Sequence, residues 1–193
     1  MTLLDASKSK PLEGGPSLSL KHRLFRAVWI AAWNLLAAWT PAPMHRWRAF
    51  LLNLFGAKVH STAHVYSSVR VWYPPNLYME EHAALGPRVN CYCMAPIRLG
   101  ARAVVSQGTY LCAGTHDIED PDFQLVVKPI IIGADAWIAA EAFIGPGVTL
   151  GEGAVVGART VLFKDAQAGG VYAGNPAQFI KQRITSTTRG QNS

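Results

Sequence analysis

From Ile132 onward an aliphatic residue returns at every sixth position: Ile132, Ile138, Ile144, Leu150, Val156 and Leu162. The residue after each of the first five is Gly133, Ala139, Gly145, Gly151 or Gly157, and the fourth residue after each is Ala136, Ala142, Val148, Ala154 or Thr160. The same pattern stands upstream at Leu99, Val105 and Leu111, and more weakly at Val65, Val71, Leu85 and Cys91. An α-helix cannot hold a period of six on one face, because 3.6 does not divide it. A β-solenoid can: each hexad supplies one short strand and one corner, with the aliphatic inward and the small residues in the turn. Three hexads close a triangular coil of 18 residues, which predicts inward columns of Ile132 over Leu150, Ile138 over Val156 and Ile144 over Leu162. General crossover chirality favours right-handed winding.

The cadence breaks once. Residues 99–116 fill one coil, so the next inward aliphatic is due at position 117, yet it arrives at Ile132. Residues 117–131 are therefore predicted as a loop thrown out from a corner, a common place for function on a regular scaffold. His116 stands just before it.

Ahead of the solenoid, residues 1–20 are polar and rich in Ser, Pro, Gly and Lys, which predicts a disordered tail. Residues 21–57 read as apolar and amphipathic helices. The run 24–39 is apolar on nearly every face and reaches about 24 Å as a helix, short of a bilayer core of about 30 Å. It fits a helix lying on a membrane, a helix docked on its own body or a partner, or a signal peptide or span. Thr40-Pro41-Ala42-Pro43 ends it. Residues 44–55 predict a second helix with Trp47, Phe50, Leu51, Leu54 and Phe55 as the apolar stripe, capping the body, and Gly56 as its C-terminal cap. The solenoid is expected over 58–170, and 171–193 form a C-terminal extension with a short helix.

The chain has 193 residues and a net charge of +6, an ordinary size for one domain. Residues 1–58 hold eight Lys/Arg against Asp5 and Glu13, whereas the rest is balanced. The basic end points to a membrane surface or polyanion rather than nucleic acid, because no basic–aromatic recognition module follows. Cys91, Cys93 and Cys112 make an odd set without framework spacing, which argues for a reducing compartment. A zinc site of three histidines is disfavoured, since no second histidine lies near His116.

The hexads, Gly114-Thr115-His116-Asp117, and the tail Gly174-Asn175-Pro176-Ala177-Gln178-Phe179-Ile180-Lys181 resemble the hexapeptide-repeat acyltransferases. Trp-Arg-Ala-Phe-Leu-Leu-Asn-Leu-Phe-Gly-Ala at 47–57, Val-Asn-Cys-Tyr at 89–92 and Leu-Cys-Ala-Gly-Thr-His-Asp at 111–117 are similar to the colanic acid and exopolysaccharide biosynthesis group. The resemblance spans residues 44–183. It implies a left-handed parallel β-helix, a homotrimer, acetyl-CoA as donor and an active site between subunits. Gln178 stands where the family more often has a basic residue.

Moving an acetyl group from a thioester to a hydroxyl needs a base, donors for the oxyanion and a hold on the coenzyme. Imidazole, with a pKa of about 6.5, suits the first task, and His116 matches the family's catalytic position. Asn90, Tyr92 and Asp117 are candidates for the acceptor sugar, Asp117 also for orienting the imidazole. By resemblance Trp137 lines the pantetheine channel, backbone N–H groups at Ala139 and Ala140 face the thioester oxygen, Ala158 offers backbone to pantetheine, and Lys164 and Lys181 meet coenzyme phosphates. Cys91 fills an inward slot, and neither Cys93 nor Cys112 has a partner base in the sequence, so a covalent acyl-enzyme is not expected. The expected protein is a cytoplasmic sugar O-acetyltransferase, with peripheral membrane contact through residues 21–55. The rivals are a xenobiotic acetyltransferase of the streptogramin or chloramphenicol type and a non-catalytic scaffold.

Overall fold

The structure is a computed structural model that describes residues 3–184. Short parallel strands stack into three faces around one apolar interior. The inward register of the first face runs Val59, Met79, Leu99, Ile132, Leu150. The second runs Val65, Leu85, Val105, Ile138, Val156, Tyr172. The third runs Val71, Cys91, Leu111, Ile144, Leu162. All of these but the half-buried Tyr172 are buried. The three predicted columns are present.

The early coils are longer than the hexads imply. Val59 to Met79 and Met79 to Leu99 are steps of twenty residues. The first-face strands Leu77–Met79 and Ile97–Leu99 each carry two inward residues, Leu77 with Met79 and Ile97 with Leu99. The two extra positions per coil shift the hexad phase and explain the weak upstream matches. Corners are tight where coils meet: a Cβ on Gly133 would lie 2.7 Å from the Glu152 amide nitrogen, so only glycine fits there.

The excursion begins earlier and ends earlier than residues 117–131. Gly114–His116 pairs antiparallel with Leu125–Val127, the Lys128 N–H returns to the Ala113 carbonyl at 3.0 Å, and the first face has already resumed at Ile130. The loop is thus a β-hairpin with an exposed tip.

The first residues are ordered rather than a disordered tail. Leu3 bridges to Leu18, and α1 (Ala6–Ser9) is capped by the Asp5 carboxylate. Ala6 donates to Gln124 Oε1 at 2.8 Å, while Gln124 Nε2 donates to the Leu4 carbonyl at 3.3 Å. Leu18 packs with Met94 and Leu125. Apolar residues in a mostly polar segment have found a partner in the hairpin.

Helix α2 (Leu20–Leu36) docks on the third face. Trp29 and Trp33 are buried, and their indole N–H groups donate to the Val71 and Ser67 carbonyls at 2.7 and 3.2 Å. Its other side exposes Leu20, Leu24, Val28 and Leu35. Among the described residues no helix is long and apolar enough to cross a membrane. Helix α3 (His45–Leu54) covers the open end of the first coil, with Leu51 and Phe55 of the predicted stripe packed on the core and the rest of that stripe turned away. It buries Arg48, Ala49, Leu51 and Leu52, while Trp47, Phe50 and Leu54 point outward. The helix is apolar on two sides, and Arg48 decides which one turns in. Its buried guanidinium donates to Val65 O, Thr40 Oγ1, Pro41 O and Ala42 O at 2.6–3.0 Å, so one basic residue serves as a clip for backbone carbonyls rather than as surface charge.

At the far end, Gly170–Ala173 extends the second face in parallel, and Gln178–Gln182 turns back antiparallel to it. The described part of the C-terminal extension is therefore a hairpin and not the expected short helix; residues 185–193 of that extension lie outside the described residues.

Candidate functional site

His116 ends the first strand of the hairpin and is exposed. Its Nδ1 lies 2.8 Å from the Phe123 carbonyl, and its ring stacks on Phe123 at 4.7 Å and 16°. A carbonyl only accepts, so Nδ1 is the donor, and in the neutral ring the lone pair is left on Nε2. Asp117 does not do this orienting. Its carboxylate accepts from the Glu119 N–H at 3.0 Å, and it stands exposed at the hairpin tip. Phe123, held at φ +54°, is the contact of His116 that sequence reasoning missed, because the group that meets the ring is a backbone carbonyl.

Asn90 and Tyr92 occupy adjacent outward positions of one third-face strand. Tyr92 belongs to a line of rings along that face. Centroid separations are 5.3 Å from Trp72 to Tyr92, 6.2 Å to Tyr110, 5.5 Å to Phe143 and 5.5 Å to Phe163. Burial holds the Tyr92 and Tyr110 phenols above their usual range, so both are neutral hydroxyls near pH 7. The Tyr92 ring also abuts the hairpin base, where a Cβ on Gly114 would lie 3.3 Å from it.

The coenzyme candidates sit elsewhere. Trp137 is half exposed on the second face and donates to Ser106 Oγ at 3.0 Å. The Ala139 N–H is committed to the Val156 carbonyl at 2.8 Å, so it is not a free donor for a thioester. The Ala140 N–H has no acceptor among the described residues. Ala158, exposed, stands one coil beyond the half-buried Ala140 at the same corner. Lys181 pairs with Val171 on the column Trp137, Val155, Val171, which puts it about 14 Å from Trp137, three strand spacings of about 4.8 Å. Lys164 departs from this set: it follows the third face at the corner that launches the hairpin.

Trp137, Ala140, Ala158 and Lys181 thus lie on the second face and its corner with the third, whereas His116 and Lys164 lie at the opposite corner of the third face. One copy does not bring the two groups together.

The cysteines carry no nucleophile. Cys91 and Cys93 are fully buried. Cys112 donates to the Gly114 carbonyl at 3.2 Å, and burial raises its thiol.

Residues 129–164 match the bacterial transferase hexapeptide family (six repeats). The chain is 40% identical to the "Putative colanic acid biosynthesis acetyltransferase WcaF" of Escherichia coli strain K12, over 92% of this chain and 94% of that one. It is 47% identical to a chloramphenicol acetyltransferase of Agrobacterium fabrum, over 34% of each chain. A maltose O-acetyltransferase of Clostridium difficile 630 superposes with a TM-score of 0.77 at 22% identity, covering 86% of this chain and 90% of that one. A hexapeptide-repeat acetyltransferase of Vibrio cholerae, solved with acetyl coenzyme A, gives 0.76 at 22%, covering 89% and 93%. With its coils, corners and near full-length likeness, the chain belongs to the hexapeptide-repeat acetyltransferases and has their left-handed parallel β-helix fold.

Proposed function

We propose that the protein is an acetyl-CoA-dependent O-acetyltransferase acting on a sugar hydroxyl in exopolysaccharide biosynthesis, with His116 as general base. The observation that carries the reading is the Phe123 carbonyl on His116 Nδ1, which leaves Nε2 as a base in an exposed position. The hydroxyl oxygen attacks the thioester carbonyl carbon as Nε2 takes its proton. The tetrahedral intermediate expels the coenzyme thiolate, and the imidazolium returns the proton to sulfur. The transfer is direct, since the cysteines are buried or tied up. The free Ala140 N–H is the donor for the oxyanion. The small side chains of Ala140 and Ala158 at one corner fit a pantetheine arm, and Lys181 a coenzyme phosphate.

The separation of these two groups within one chain supports a homotrimer whose sites lie between subunits. The His116 corner of one copy meets the Ala140 corner of its neighbour, and Lys164 serves the coenzyme across that seam. The likeness to a biosynthetic relative over 92% of the chain supports a glycan acceptor above a xenobiotic one, for which the likeness covers 34%. The outward apolar side of α2, with Trp47, Phe50 and Leu54 of α3 beside basic residues, supports peripheral contact with the cytoplasmic face of a membrane, where lipid-linked glycans reside.

The test is release of coenzyme thiol from acetyl-CoA in the presence of exopolysaccharide repeat units. Wild-type protein is expected to release it and His116→Ala is not. Absence of release by the wild type with every glycan acceptor overturns the reading.

A further inference from the structure

Helix α2 is propped off the third face by its buried tryptophans. Between them runs a groove of about 520 Å³, in the usual range for small-molecule sites. It continues past Asn34 and Asn90 into a second hollow of about 590 Å³. Arg26 and Arg70 line the first part, and Arg70 and Arg88 the second. No Asp or Glu lines either part. Among the described residues none of the three arginines makes an ion pair. Arg26 is fixed in place: its guanidinium lies 3.9 Å above the Trp72 ring and its Nε donates to the Trp72 carbonyl at 3.3 Å. Three positive charges without a counter-ion in a partly enclosed groove, one of them fixed, make an anion site by charge complementarity.

The groove also recognises rings. Trp72, Tyr92 and Tyr110 present a stepped aromatic wall, and Asn34, Asn90 and the Ser68 hydroxyl supply donors and acceptors. Aromatic faces with planar amides are the chemistry that suits a pyranose. At its Tyr92 end the groove reaches the base of the hairpin, two residues before His116.

We propose that this groove is the acceptor subsite and that it selects an anionic glycan, one bearing a carboxylate or phosphate. Arg70 and Arg88 hold the charge, Arg26 closes the groove behind it, and the neighbouring ring stacks on the Tyr92–Tyr110 wall. The proposal rests on the glycan O-acetyltransferase reading above.

The test measures binding of the full-length protein to three oligosaccharides of one length: a uronate-containing chain, its carboxyl-reduced counterpart, and a phosphate-bearing chain. At least one anionic chain is expected to bind tenfold or more tighter than the reduced one, and which one does identifies the charged group. The double variant Arg70→Gln, Arg88→Asn is expected to lose that preference while keeping its melting temperature; both side chains are exposed, and Asn tolerates the φ of +59° at position 88. Equal affinity for charged and neutral chains, or an undiminished preference in the double variant, overturns the proposal. Thiol release from acetyl-CoA is followed in parallel. Anionic preference without thiol release under any acceptor leaves the subsite and removes the enzyme; thiol release with no charge preference does the reverse.

Discussion

The Phe123 carbonyl and His116 Nδ1 are 2.8 Å apart across the hairpin, with the two rings stacked face to face. The imidazole is thereby oriented by backbone and ring rather than by a carboxylate. His116→Ala is expected to lower turnover by about 10²–10⁴-fold with acetyl-CoA affinity retained. Phe123→Ala keeps the carbonyl and loses the stack, so its kcat is expected to fall by less. Steady-state kinetics of both variants check this; equal loss in the two would place the stacking, not the proton transfer, at the centre.

The N-terminal lobe supports that same hairpin through Gln124 and Leu18. Deleting residues 1–18 is expected to lower kcat and raise hydrogen exchange across residues 114–127, with the coils unaffected. Gln124→Ala is expected to do the same to a smaller degree. Unchanged exchange in the hairpin would show that the lobe carries no such load. Deletion through residue 40 is a harsher change, because it also strips Trp29 and Trp33 from the core.

Gly133 sits where the next coil's backbone passes within reach of a Cβ. Gly133→Ala forces neighbouring coils apart and is expected to cost about 1–3 kcal/mol, read as a lower denaturation midpoint. Gly14→Ala has open space for its Cβ at φ +91° and serves as a strain-only comparison.

His22 is buried between the Trp72 and Tyr73 rings, and among the described residues its two ring nitrogens have no hydrogen-bond partner. Burial, with Arg26 nearby, lowers its proton affinity; burial also lowers that of His45, aided by Arg48 and His64. A lowered imidazole value means that the unfolded chain binds the proton first. Stability is full above the ordinary imidazole range and falls as pH drops through it toward the folded-state value. Melting temperature is expected to decline from pH 7.5 to 5.5, and His22→Phe to flatten the decline. An unchanged slope in that variant would clear His22 of the effect.

The late coils were legible because one rule, aliphatic inward every six, operates there alone. It also signalled an excursion beside His116, though not that the hairpin starts at Gly114 and includes His116. It failed where other forces share control. The paired inward residues of the first face moved the upstream phase by two. In α3 both sides are apolar, and the choice between them falls to Arg48, whose carbonyl partners come from other segments. Ordering of residues 3–18 depends on long-range contacts with Gln124 and Leu125 that no local pattern encodes. The Phe123 carbonyl is a backbone group and leaves no mark in the sequence. No pattern in the sequence singles out Arg70 and Arg88; they line one groove only once α2 lies on the third face.

A stack of parallel strands would ordinarily invite a second copy to continue it end to end. Here both terminal layers are plugged, one by α3 laid across the opening coil and the other by Gln178–Gln182 running against the grain, with Lys181 and Arg183 on the rim. The prism therefore has a fixed length, and growth into a fibre is blocked at either tip. The seam proposed above then runs along the flanks of the described prism and not through its tips.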